Sequence, residues 1–141
     1  MNEEELRQTL AVMDSLKEQV EALSEQLQLI QDSVTDFSRA KETAKTYTTT
    51  DSDTEMLVSV GGGVYLPARI LNSGKGFLYT ASGYTFEEPI PKIIEIVDGR
   101  IKELVDASQK VYQRMTEMQN QLGSLQAMVE EEARKEQGRV G

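Results

Sequence analysis

The chain has 141 residues, a formal net charge of -9, and no histidine, cysteine or tryptophan. That length suggests a single domain spanning residues 1–141, and the missing residue types exclude the usual zinc, haem and thiol chemistries as well as Ser-His-Asp and Cys-His catalysis, so no cofactor and no metal are expected. An acidic chain cannot neutralise phosphates, which argues against nucleic acid or an anionic membrane as a partner, and no apolar run is long enough to span a bilayer.

Residues 3–48 contain neither proline nor glycine and read as one long helix. Two series of positions, Leu6, Met13, Val20, Leu27, Val34, Lys41 and Thr9, Leu16, Leu23, Ile30, Phe37, Ala44, alternate by three and four, and only Thr9 and Lys41 among them are polar. That is the 3.5-residue repeat of a coiled coil. An amphipathic helix on a globular core rarely keeps such strict spacing over so many turns. The first ten residues, MNEEELRQTL, are acidic and polar, unlike a secretory leader.

Residues 49–89 break the period. A polar linker, TYTTTDSDTE (46–55), leads into short runs rich in β-branched and aromatic residues with glycines between them. MLVSV (56–60) and VYLPARI (64–70) flank three glycines, FLYTA (77–81) and YTF (84–86) flank Ser82-Gly83, and NSGKG (72–76) reads as the turn between the pairs. VSVGGGVYL (58–66) weakly repeats as LYTASGYTF (78–86). The segment therefore reads as two β-hairpins inserted between helices. Alternation puts Met56, Val58 and Val60 on one face of the first strand, and Val64, Leu66, Ala68 and Ile70 on one face of the second. Two hairpins cannot cover such faces themselves, so Met56, Val58, Val60, Val64 and Leu66, with Phe77 and Tyr79, are candidate oligomerisation residues whose strands complete a β-barrel between subunits.

Residues 90–136 return to the heptad repeat, with Ile90, Ile94, Val97, Ile101, Leu104, Ser108, Val111, Met115, Met118, Leu122, Leu125 and Val129 on the seam. Pro91 stands in the first turn, where a helix tolerates it, and Gly99 and Gly123 lie in the interior. The seam ends after Val129, and residues 134–141 are expected to fray. The two seams match in one antiparallel register, from Leu6 against Val129 through Leu16 against Met118 to Ala44 against Ile90. The fold class is thus α+β, a long antiparallel two-helix coiled coil with two inserted hairpins. Both termini are expected at one tip. Ile93 and Ile96 are expected to pack on the β-segment.

Helix, β-segment and helix in this order, over nearly the whole chain, resemble a prefoldin subunit of the archaeal-type alpha class. LVSVGGGVYLPARI (57–70) is similar to the glycine-rich first hairpin of that class, and GFLYTASGYTFEE (76–88) to its second hairpin, which beta-class subunits lack. Ala81 departs from the Gly-x-Gly often found there. The resemblance implies a cytoplasmic, ATP-independent chaperone, and a hexamer of two alpha-like and four beta-like subunits joined through their strands. It further implies that coiled-coil tips hold unfolded client proteins and deliver them to a group II chaperonin. The implied client-binding residues are Leu6, Leu10, Val12, Met13, Leu122, Leu125, Met128 and Val129; Leu10, Val12 and Met128 are apolar yet off the seam, as are Leu29 and Val105 in mid-shaft. Methionine and leucine suit many shapes of client. Residues 1–25 hold seven acidic and two basic side chains, a charge balance that would keep neighbouring tips apart or simply solvate a helix face.

Two other readings stand beside this one: a coiled-coil scaffold with no client role, and a prefoldin-like homo-oligomer that builds filaments. An enzyme is the weakest reading, because Glu87 and Glu88 have no nucleophile, phosphate loop or metal ligands grouped with them.

Overall fold

A computed structural model describes residues 1–140. Its elements in chain order are helix α1 (Glu3–Thr49), strands β1 (Glu55–Gly61), β2 (Val64–Arg69), β3 (Lys75–Tyr79) and β4 (Thr85–Pro89), and helix α2 (Ile90–Val140). The chain forms two compact units: residues 1–33 with 104 onward, and Val34–Glu103.

Helix α1 begins with a reciprocal cap. The Asn2 carboxamide oxygen accepts from the Glu5 N–H at 2.8 Å, and the Glu5 carboxylate accepts from the Asn2 N–H at 3.2 Å. This satisfies donors that a helix start leaves orphaned, and Glu3, Glu4 and Glu5 place negative charge at the positive end of the helix dipole. At the other end the hydroxyls of Thr46, Thr48, Thr49 and Thr50 donate to the carbonyls of Glu42, Lys45 and Thr46. Such bonds compensate the last turn, and the helix continues into what the sequence presents as linker.

In the first unit the antiparallel helices bury Met13, Leu16 and Leu23 of α1 and Val111 of α2. Leu6 and Val129 line one notch with Ala133, as the matched seams require. In the second unit Ile90 and Val97 are buried, Lys41 pairs with Asp98 at 2.7 Å, and the Arg100 guanidinium lies 5.7 Å from the centre of the Phe37 ring. Every seam position named above is buried or half-buried, whereas most other helical positions are exposed. No described side chain is completely enclosed, as expected when two helices share a single seam. The tail differs from expectation: α2 continues helical to Val140, though residues 133–139 are exposed. Alanine, glutamate, arginine, lysine and glutamine are good helix formers and sustain the helix without a seam. Gly141 lies outside the described residues.

The hairpins form separate two-stranded antiparallel sheets. In the first, Met56 faces Ala68 and Val58 faces Leu66, with a bulge between Ser59 and Gly61. Gly61, Gly62 and Gly63 all have positive φ, a run that residues with a Cβ adopt only under strain. Asp53 and Thr54 extend this pairing through two hydrogen bonds with Ile70. In the second hairpin the strands lie further from the turn than the sequence suggests. The Thr80 N–H donates to the Tyr84 carbonyl and the Gly83 N–H to the Thr80 carbonyl, which draws residues 80–84 into the loop. Lys75 and Gly76, read as turn, pair instead with Pro89 and Glu88. β4 runs directly into α2, and the Ile90 N–H donates to the Gly74 carbonyl. A Cβ added at Gly76 would lie 2.9 Å from the Ile93 side chain and 3.1 Å from that of Ile90, so this glycine lets β3 lie close against the start of α2. Ile93 thus sits against the β-segment, and Ile96 is half-buried.

Candidate functional site

Two surfaces of the single chain leave large apolar side chains exposed. The first belongs to the unit that carries both chain ends. Helix periodicity divides its apolar residues into those turned to the partner helix and those turned away. Met13 is buried, and Leu6, Leu122, Leu125 and Val129 are half-buried along the seam. Leu10, Val12 and Met128 lie off the seam and are 44%, 51% and 49% exposed. The eight proposed tip residues therefore divide into five covered along the seam and three left exposed on its flanks. Met128 lines a shallow notch with Glu5, Glu131 and Lys135, so apolar and acidic groups are interleaved there. Met13 becomes available to a ligand only if the helices separate.

The second surface is the pair of hairpins. Met56, Val58, Val60, Val64 and Leu66 are all exposed in the single chain. On the second hairpin, strand alternation divides the residues between two sides. Gly76 and Leu78, opposite Glu88 and Phe86, share the side that meets Ile90 and Ile93. Phe77 and Tyr79 point the other way and are 72% and 69% exposed, on the same face as Lys75 and Glu87, whose Nζ and Oε1 lie 3.9 Å apart. All seven proposed assembly residues are thus uncovered here.

The structure adds a second apolar face to the first hairpin. Leu57 pairs with Pro67 and Ser59 with Tyr65, and both Leu57 and Tyr65 are exposed. The signal was present in the alternation: if Met56 and Val58 share a face, Leu57 must occupy the other. Tyr112, exposed on α2 one heptad beyond Val105, likewise stands outside the seam pattern. Glu87 and Glu88 point to opposite faces of β4, Glu87 beside Lys75 and Glu88 opposite Gly76, so they are not a paired-carboxylate site. Among the described residues no helix is long and apolar enough to cross a membrane.

Comparison with known proteins gives a consistent picture. The family described as "Prefoldin subunit" matches residues 16–135. The chain is similar to the protein named prefoldin subunit alpha of Archaeoglobus fulgidus, with 26% identity over 89% of this chain and 91% of that one. It is 24% identical to the protein of the same name from Pyrococcus horikoshii, over 96% of this chain and 92% of that one. A cryo-EM structure of filamentous PFD from Methanocaldococcus jannaschii shares the fold with a TM-score of 0.73 at 16% identity, covering 84% of this chain and 98% of that chain.

Proposed function

The chain belongs to the prefoldin family, and on that premise we propose that it is the alpha-class subunit of a hexamer with four beta-type subunits, an ATP-independent holdase for unfolded proteins. The family is one of chaperone subunits, and its alpha members are the relatives described above. In this reading the hairpin faces join the subunits into a barrel, and the coiled-coil tips hold the client and pass it to a group II chaperonin in the cytoplasm.

The observation that carries the reading is the exposure of Leu10, Val12 and Met128 on the flanks of a half-covered seam. An unfolded chain exposes apolar side chains, and burial of a leucine or methionine contributes about 1.5–3 kcal/mol. Several weak contacts repeated on several tentacles of one assembly give an avidity that no single tip supplies. The test removes residues 1–12 and 128–141. That deletion takes away the three open side chains and the last seam layers but leaves the β-segment and most of the shaft. The truncated chain is expected to assemble in the normal subunit ratio and to lose protection of a denatured client against aggregation. Undiminished protection would place the grip elsewhere.

A second reading, a filament built from copies of this chain, is favoured by the shared fold with the filamentous PFD structure, which spans nearly the whole of that chain. Mass determination of the chain expressed alone separates the two. A discrete small species that becomes a hexamer on addition of a beta-type subunit supports the first, and a concentration-dependent polymer supports the second.

A further inference from the structure

Most layers of the helix pair are leucine, isoleucine, valine or methionine on both sides, so sliding α2 by one heptad exchanges like for like. Two contacts in the Val34–Glu103 unit are not interchangeable in this way. Lys41 occupies a seam position, its side chain is 27% exposed, and its Nζ lies 2.7 Å from a carboxylate oxygen of Asp98. A slide of one heptad would put Pro91 or Val105 where Asp98 stands. The columns of α2 that flank the seam, taken in steps of seven from Pro91 to Ala133 and from Ile93 to Met128, hold no other acid. Phe37, the one aromatic on either seam, lies beneath Arg100, and the same slide would offer it Ile93 or Ala107. Pairing α1 with the α1 of another copy fails as well, because the column from Leu10 to Lys45 that would take the place of Asp98 contains no acid.

The geometry points to a register lock: the Lys41–Asp98 ion pair, backed by Arg100 over Phe37, selects one alignment of α1 and α2 among the several that their apolar seams tolerate. A half-exposed ion pair adds little to stability, and a lysine in a seam gives up apolar burial. What a polar seam residue with one matching partner supplies is discrimination between registers. Its rival for this role is the set of loop ties at the same end, where the Ser73 N–H donates to the Tyr47 hydroxyl and the Ile90 N–H to the Gly74 carbonyl.

The chain has no cysteine, so engineered pairs read the register directly. Val34→Cys with Ile101→Cys reports the native alignment, and Val34→Cys with Ile94→Cys or Ser108→Cys reports the two slipped ones. Replacing Lys41 by leucine in the full chain is expected to raise slipped cross-linking about fivefold, with helicity by circular dichroism and thermal midpoint unchanged or higher. Exchanging the charges, Lys41→Asp with Asp98→Lys, is expected to return slipped cross-linking to its original level. If slipped yields stay flat when Lys41→Leu is combined with Arg100→Gln, the loop ties set the register and the lock is overturned. A rise with Lys41→Leu that the exchanged pair fails to reverse overturns it too, since side-chain bulk rather than charge would then be responsible.

Discussion

The helices and the hairpins treat their apolar residues in opposite ways. Along α1 and α2 nearly every apolar side chain at heptad spacing is turned to the other helix of the same chain, and the exceptions are few enough to name. On β1 to β4 the apolar residues stay exposed, on both faces of the first hairpin and on the Phe77–Tyr79 face of the second. The difference follows from geometry. A helix needs only one stripe covered, and a second helix of equal length covers it. A two-stranded sheet has two faces and two free edges, and no element of this chain is placed to cover them all. The helices are therefore locally self-sufficient, while the hairpins, in the proposed assembly, depend on other subunits.

The largest expected effect lies on the dependent side. Val58→Asp or Leu66→Asp puts a charge into a face that assembly would bury, where an unpaired carboxylate is strongly disfavoured. The complex is expected to fall apart in sedimentation at micromolar concentration while circular dichroism still reports the helices. An intact mutant assembly would mean that this face is not buried between subunits. On the self-sufficient side the contrast sharpens within one helix. Leu23→Ala removes a buried seam leucine and is expected to cost about 2–3 kcal/mol in chemical unfolding. Leu29→Ala, on the solvent side, is expected to stay within about 0.5 kcal/mol. Similar costs for the two would show that the exposed face of α1 is covered in the complex. The smallest effect concerns the first hairpin turn. Gly62→Ala has open space for its methyl group but a φ of 59° to maintain, so a cost of about 1 kcal/mol is expected, read as faster amide exchange in β1 and β2. Unchanged exchange would mean that the turn does not limit the hairpin's stability.

Much of this contrast was legible in the residues. The three-four alternation marked the seam on both helices, and Gly61-Gly62-Gly63 marked the first turn. The second hairpin was less legible because Thr80 and Ala81 suit a strand as well as a loop. Their place in the loop depends on hydrogen bonds from the Thr80 and Gly83 amides, which no pattern of side chains announces. The continuation of α2 beyond its seam was hidden for a related reason. Loss of the heptad pattern marks the end of packing, whereas helix propensity alone carries the backbone further. At the shaft end, Leu10, Val12 and Met128 could be identified as off-seam from spacing. Their exposure beside half-covered seam residues required the structure. The Lys41–Asp98 pair was equally hidden: the lysine stood out as an interruption, and its partner emerged only when the helices were set side by side.

The central claim is that these three open side chains grip unfolded proteins, and the most direct measurement leaves the seam untouched. A complex carrying Leu10→Ser, Val12→Ser and Met128→Gln is compared with the unaltered complex in light scattering of a denatured client, at equal concentration and confirmed equal mass. The account predicts that most of the protection is lost while assembly and helicity are retained. Equal protection by the two complexes would contradict it and move the grip to another surface of the assembly.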